Sequence, residues 1–141
     1  MILPDINLLV YAYNEDAPHH ARAKNWWEDC LSGTEPVALA WAVLLGFVRL
    51  MSNRRVLVRP MSAPEAIGHC RSWLLQPHAR VVQPGPTHME LLAGLLGSHV
   101  SSNLVTDAHL AALAIEHQAE LHSNDGDFAR FSGLAWRNPL A

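Results

Sequence analysis

TDAHLAALAIEHQAELHSNDGDF, residues 106–128, contains three local patterns in succession. The first part, rich in Ala and Leu and free of Gly and Pro, predicts a helix. AELHS (119–123) predicts a short strand, and NDGD (124–127) is typical of a turn, after which Phe128 returns the chain to the core. A helix that leads through a short strand into an acidic turn is typical of α/β proteins.

The same alternation runs through the rest of the chain. Further strands are predicted at 1–4, 36–41 and 79–85, with a possible last one at 134–140. Helices are predicted at 6–13, 17–33, 42–52, 62–77 (with Ser62 as N-cap) and 87–99. Short apolar strands that alternate with helices predict an α/β fold in which a parallel sheet has helices on both faces.

The length, composition and charge of the chain limit the classes of protein to which it can belong. With 141 residues, 50% of them hydrophobic and 16% charged, the chain is expected to fold as a single domain over 1–141 and not to be disordered. It contains no apolar run of membrane-spanning length, and its first residues lack the basic region of a signal peptide. The two cysteines suggest no disulfide framework, so a cytoplasmic location is expected. A net charge of −3 argues against a generally basic nucleic-acid binder but permits a local basic patch.

Four acidic residues follow predicted strands or begin predicted helices. Asp5 follows the first strand, Asp107 falls at the predicted N-cap of its helix, and Asp125 and Asp127 follow AELHS. The carboxyl ends of parallel strands carry the ligand sites of such sheets, so the acids are expected at one edge. Each also has a structural explanation: Asp107 as a helix cap, Asp125 and Asp127 as turn residues. Asp5, the only charge in LPDINLLVYAY, needs a partner or a metal if it is buried.

Four segments of the chain together resemble the PIN-domain ribonucleases. They are PDINLLVYAYNEDAPHH (4–20), LLGFVRLMSNRRV (44–56), the stretch 106–128 quoted above and the final WRNPL (136–140). The likeness is greatest to the VapC-type toxins of bacterial toxin–antitoxin pairs and covers essentially the whole chain. It implies an α/β/α sandwich around a parallel sheet and cleavage of single-stranded RNA, often structured RNA such as tRNA or rRNA. It also implies a VapB-type antitoxin that covers the active edge, and a homodimer.

The resemblance further implies which residues form the site. Asp5 matches the family's first acid, Asp107 the third, and Asp125 the fourth, with Asp127 as the less certain ligand. Oxygen ligands without a Cys or His pattern suit Mg²⁺ or Mn²⁺. A metal held there activates water and neutralises phosphate charge, which predicts metal-dependent hydrolysis of RNA without a covalent enzyme intermediate.

One family position departs from the pattern. The second acid is usually a Glu just before a Phe, where this chain has Gly46. Either the site works with fewer acids or another acid such as Glu15 reaches in, although Glu15 is predicted to be a solvated loop residue. Asn7 and Thr106 flank the acids and can orient them or a bound water. The departure leaves open a PIN-like protein that has lost catalysis and only binds RNA or a partner. An Asp-dependent phosphatase or dehalogenase is disfavoured, since Asn7 stands where a second Asp is needed.

The remaining polar and aromatic residues give weaker predictions. Arg49, Arg54 and Arg55, with Arg59 beyond them, could follow RNA phosphates or form a solvated helix end and loop, and Arg49 could instead pair with an internal acid. The nine histidines show no metal-binding spacing and are expected at the surface or at helix caps. The five tryptophans are expected mostly in the core, except that adjacent residues 26 and 27 cannot both face it.

Overall fold

The sheet at the centre of the molecule is parallel throughout. The computed structural model describes residues 1–97 and 101–141, and within them five strands pair in the order β3-β2-β1-β4-β5. The strands are β1 (Ile2–Pro4), β2 (Val37–Ala40), β3 (Ala79–Val82), β4 (Glu120–His122) and β5 (Trp136–Arg137).

Helices connect these strands. They are α1 (Ile6–Tyr13), α2 (His20–Ser32), α3 (Trp41–Met51), α4 (Ala63–Leu74), α5 (His88–Leu96) and α6 (Val105–Glu116), with short 3-10 helices at Ser102–Leu104 and Gly126–Arg130. From β1 through β2 to β3 the chain adds strands toward one side of the sheet, and it then crosses back to add β4 on the other side of β1. Because the connections between parallel strands are right-handed, α1–α4 lie on one face of the sheet and α5–α6 on the other. Packing agrees, because α1 contacts α2 and α3, α3 contacts α4, and α5 contacts α6. The predicted α/β/α sandwich is confirmed.

The predicted boundaries differ from the observed ones by a few residues. Strand β2 ends one residue early because Trp41 begins α3. The helix predicted at 87–99 is observed as α5, and its positions 98 and 99 lie outside the described residues. Ser62 caps α4 as predicted, since its Oγ accepts a hydrogen bond of 3.2 Å from the Glu65 N–H. Within the described residues, no helix is long and apolar enough to cross a bilayer.

An aromatic cluster fills the space between α1 and α4. Trp27 and Trp73 are almost fully buried there with Phe47, and the Trp73 indole N–H donates to the Tyr13 hydroxyl at 2.9 Å. Trp41 was expected in the core but is 50% exposed, because at the start of α3 it faces away from the buried side of that helix. Strand β2 is buried along its whole length, as expected for a strand covered on both faces. The layers therefore hold the carboxyl ends of β1, β2 and β4 rigidly at one edge.

Candidate active site

Asp5 lies where β1 ends and α1 begins. Its Oδ1 accepts a hydrogen bond of 2.7 Å from the Ile6 N–H, and its Oδ2 accepts one of 2.7 Å from the Ser123 hydroxyl. Asp5 is only 5% exposed. Burial raises the pKa of the Asp5 carboxyl, the two hydrogen bonds offset part of this, and the charge of Asp125 raises the pKa further. Asp5 is therefore a buried carboxylate held in one orientation by two donors.

Ser123 and Asn7 form a polar bridge beside Asp5. The fully buried Ser123 hydroxyl accepts hydrogen bonds from the Asp125 N–H at 3.0 Å and from the Asn7 side-chain amide at 3.3 Å. The Asn7 Oδ1 is buried and has no hydrogen-bond partner in the described residues. A buried acceptor without a donor costs about 1–3 kcal/mol, so this oxygen is suited to a water or a ligand in the site. No role for Ser123 was predicted; its position directly after a strand was the available signal.

The turn after β4 combines structural and functional features. Asp125 caps the 3-10 helix Gly126–Arg130, and its Oδ1 accepts a hydrogen bond of 2.9 Å from the Asp127 N–H. Phe128 is 1% exposed and anchors the turn in the core, as predicted. Asp127 instead forms an exposed ion pair of 3.4 Å with Arg130. Asp125 is thus the better oriented of the two acids, which is the order that the sequence indicated.

Asp107 does not cap its helix, so that prediction was wrong. The 3-10 helix Ser102–Leu104 runs directly into α6, which places Leu104 at the N-cap and Asp107 in the first turn. Burial raises the pKa of Asp107 to about 6, with further contributions from the charges of Asp5, Asp125 and Asp127. Asp5 and the turn that carries Asp125 and Asp127 follow the neighbouring strands β1 and β4, so they lie at one edge of the sheet, and their charges act on Asp107. Within 1–97 and 101–141, however, no three Asp, Glu, His or Cys side chains converge closely enough to hold one ion.

Gly46, at the position where the resemblance implies a second acid, lies on the buried side of α3. A Cβ atom at this position would lie 2.3 Å from the Ile6 Cδ1 atom. The Ile6 side chain therefore fills the space that a longer residue at 46 would need. Glu15 does not replace the missing acid, because it is exposed and forms a 3.4 Å ion pair with Arg59. The described contacts therefore do not bring Glu15 to the four acids.

The arginines divide into two groups. Arg49, Arg54 and Arg55 are exposed, and none of them forms an ion pair with a described residue. Arg59 is held by Glu15 and by Asp16, the latter at 3.2 Å. The alternative in which Arg49 pairs with an internal acid is therefore wrong, and three positive charges remain at the end of α3 and in the loop after it.

Among the histidines that the structure describes, two are buried, contrary to the prediction of surface positions. His122 is 5% exposed; its ring accepts from the Trp26 indole N–H at 3.1 Å and contacts Glu120 at 2.7 Å. His88 is hydrogen-bonded to Glu116 and, at 2.8 Å, to His109. The half-buried Trp26 lines a groove of about 840 Å³ beside α2, which none of the four acids line. These contacts fasten α2 to β4 and α5 to α6.

Replacing Asp107 with Asn is expected to stabilise the protein at neutral pH. The pKa of Asp107 is raised from 3.8 to about 6 in the folded state, so the folded protein binds a proton more tightly than the unfolded chain. Stability is therefore lost as pH rises from about 3.8 to about 6, and Asp107→Asn removes this loss. Since Asp107 is only half-buried, we expect a gain of about 1 kcal/mol, or about 3 °C in Tm, above pH 6 and a smaller gain below pH 4. Thermal melting against pH measures this; the same Tm gain from the exposed control Asp29→Asn would contradict it.

A family model, sequence relatives and solved structures each match this chain over nearly its whole length. The PIN domain family model matches residues 2–134. Ribonuclease VapC33 of Mycobacterium tuberculosis is 45% identical over 99% of both chains, and Ribonuclease VapC37 of the same species is 43% identical over 100% of this chain and 99% of its own. Among solved structures, VapBC2 from Rickettsia felis bound to promoter DNA has a TM-score of 0.68 at 20% identity, covering 98% of both chains. The sarcin-ricin loop cleaving toxin VapC20 of M. tuberculosis also reaches 0.68, at 21% identity over 95% of this chain and 96% of its own.

Proposed function

The chain belongs to the PIN-domain family, among the VapC ribonucleases of toxin–antitoxin pairs, and we propose that it is a toxic endoribonuclease that hydrolyses RNA at the edge formed by Asp5, Asp107 and Asp125. The observation that best supports this is the position of Asp5 and Asp125 just beyond the neighbouring strands β1 and β4, where their charges add to the effect of burial, which raises the pKa of Asp107 to about 6. Carboxylates held this close without a cation destabilise one another. The alternative, a PIN-like protein without catalysis, is not favoured, since its relatives are named ribonucleases.

The residue types at this edge suit a divalent cation, but in the described part of the chain no three acidic side chains lie close enough to hold one, so they would have to draw together around it. Carboxylate oxygens and the unsatisfied Asn7 Oδ1 are hard ligands of the kind that Mg²⁺ prefers, and Mn²⁺ accepts the same set. We assign Asp5, Asp107 and Asp125 to hold it, with Asp127 as the less certain ligand because Arg130 engages it. When bound, such an ion polarises the phosphoryl group and lowers the pKa of water.

The chain's own groups have distinct roles in the proposed reaction. The Ser123 hydroxyl fixes Asp5 Oδ2, so the Asp5 carboxylate needs no reorientation when substrate binds. The Asn7 Oδ1 can accept a hydrogen bond from the attacking water and orient it. The pKa of Asp107, raised to about 6 in the absence of a cation, is expected to fall when a cation binds, so the carboxylate would stay ionised during the reaction.

We assign RNA binding to Arg49, Arg54 and Arg55, and predict that Arg54→Ala/Arg55→Ala raises KM for RNA about 10-fold with little change in kcat. Each lost phosphate contact weakens binding uniformly and lowers its salt dependence. Arg59→Ala is the matched control, because the charge of Arg59 is already paired with Glu15 and Asp16. Steady-state cleavage at several salt concentrations measures both values. Equal KM values for the double variant and the control would contradict the assignment.

The partners proposed here follow from family membership. We expect a VapB-type antitoxin to bind the acidic edge and block it, since solved structures of similar fold include complexes of this kind. We also expect a homodimer, a structured RNA target such as tRNA or rRNA, and action in the cytoplasm, with residues 1–141 working as one PIN domain.

Incubation of total cellular RNA with the purified chain, free of antitoxin, tests the proposed function. Cleavage with Mg²⁺ or Mn²⁺ that stops on addition of EDTA is the expected result. Intact RNA under every metal condition would overturn the proposal and favour the binding-only alternative. If adding back a co-purified antitoxin protects the RNA from cleavage, the same assay identifies the partner.

A further inference from the structure

One face of α3 presents an exposed aromatic, an aliphatic and a basic side chain in line. Trp41, Leu45 and Arg49 are spaced four residues apart, so they follow one another along the helix. Trp41 is 50% exposed and Leu45 63% exposed, and Arg49 is also exposed. Exposed large apolar residues in a row on one helix face usually mark a binding surface.

This face begins beside Asp5. Strands β1 and β2 are parallel neighbours in which Ile2 pairs with Val37, so continuing that register places Asp5 opposite Ala40. Neighbouring strands lie about 4.8 Å apart, and Trp41 is the residue directly after Ala40. Trp41 therefore lies at the same sheet edge as Asp5, one strand away from it. At the other end, α3 leads through Ser52 into the loop that carries the unpaired Arg54 and Arg55.

We propose that Trp41 is a stacking platform for a nucleobase next to the scissile phosphate, and that single-stranded RNA continues from it along Leu45 and Arg49 toward Arg54 and Arg55. Aromatic faces beside positive charges are what single-stranded RNA requires, because bases stack on the ring while phosphates meet the cations. The charges on this face favour RNA over a second apolar protein surface. The proposal rests on the proposed function, since it takes RNA as the substrate.

The test is RNA binding measured without cleavage. A fluorescently labelled single-stranded RNA oligonucleotide of mixed sequence is titrated in EDTA, and its anisotropy gives Kd for the parent, Trp41→Ala, Trp41→Phe and Leu75→Ala. Leu75 is a matched control, since it is 81% exposed and follows α4. We expect Trp41→Ala to bind about 10-fold more weakly, Trp41→Phe to retain most of the affinity, and Leu75→Ala to match the parent.

The outcomes separate this proposal from the proposed function. Unchanged Kd in Trp41→Ala would overturn the platform even if the parent cleaves RNA. A Trp41-dependent Kd in a protein that never cleaves RNA would support the platform and reject the nuclease. If Trp41→Ala and Trp41→Phe both convert a dimer to a monomer in sedimentation and neither changes RNA affinity per chain, the face is an interface between copies and the platform is wrong.

Discussion

Asp5→Asn is expected to lower the rate of RNA cleavage on the order of 10³-fold while the protein remains folded. The substitution removes the negative charge that is proposed to hold a cation, and charge stabilisation is usually the largest contribution to such catalysis. The side chain at position 5 keeps nearly the same shape, because Asn is also a good N-cap for α1 and can still accept the hydrogen bond from the Ile6 N–H. Because burial raises the pKa of Asp5, loss of its charge also relieves an unfavourable interaction at neutral pH.

Two measurements on the same preparation test this. Cleavage of total RNA with Mg²⁺ gives the rate, and thermal melting by circular dichroism shows that the variant is folded. Asp29→Asn, the same change at an exposed position on α2, is the control and should cleave like the parent. A folded Asp5→Asn that retains cleavage within about threefold of the parent would show that this carboxylate is not catalytic.

Gly46→Glu is expected to destabilise the protein by about 1–2 kcal/mol, although it introduces the acid that the resemblance implies at this position. The new side chain meets the Ile6 Cδ1 atom, which lies 2.3 Å from the Cβ position. It also adds a fifth carboxylate to an edge where Asp107 is already perturbed by its neighbours. Gly68→Glu on α4 is the matched control, because nothing lies within 4 Å of its Cβ position. Both changes replace a Gly inside a helix, so both gain the same helix propensity.

Removal of the obstructing side chain should reverse part of this loss. Ile6→Ala/Gly46→Glu is expected to be at least about 1 kcal/mol more stable than the sum of the single changes predicts. Addition of Mg²⁺ should raise the Tm of the double variant more than that of the parent, since one more acid faces the cation. Urea unfolding and thermal melting measure these effects. A Gly46→Glu protein as stable as Gly68→Glu would contradict the account of Ile6.

Much of the fold was predictable because its signals are local. Helix α4 has Ser62 as its N-cap and Pro64 in its first turn, and strands β1 and β2 are short apolar runs. These features act within a few residues, so the sequence alone displays them. The shared edge of the acids followed from the parallel topology, which the alternation of elements indicates.

The details of the site were harder to predict from the sequence because they depend on residues that are distant along the chain. Ser123 fixes Asp5 across 118 positions of sequence, and Ile6 fills the space beside Gly46 only once α1 packs on α3. Asp107 was misplaced by a local effect, since the 3-10 turn before α6 extends the helix upstream of it. Steric fit and long-range hydrogen bonds leave no pattern in one sequence.

The chemical form of the cleaved RNA ends distinguishes hydrolysis by water from attack by the RNA's own 2′-hydroxyl. If a water oriented at Asp5, Asp107 and Asn7 attacks the phosphate, the products carry no 2′,3′-cyclic phosphate. Cleavage then requires Mg²⁺ or Mn²⁺ and continues when the ribose at the cleaved position is replaced by 2′-deoxyribose. Mapping of product ends by mass spectrometry should give this result for the parent protein. Cyclic phosphate ends formed equally well in EDTA would contradict it and would assign the carboxylates at this edge a structural role.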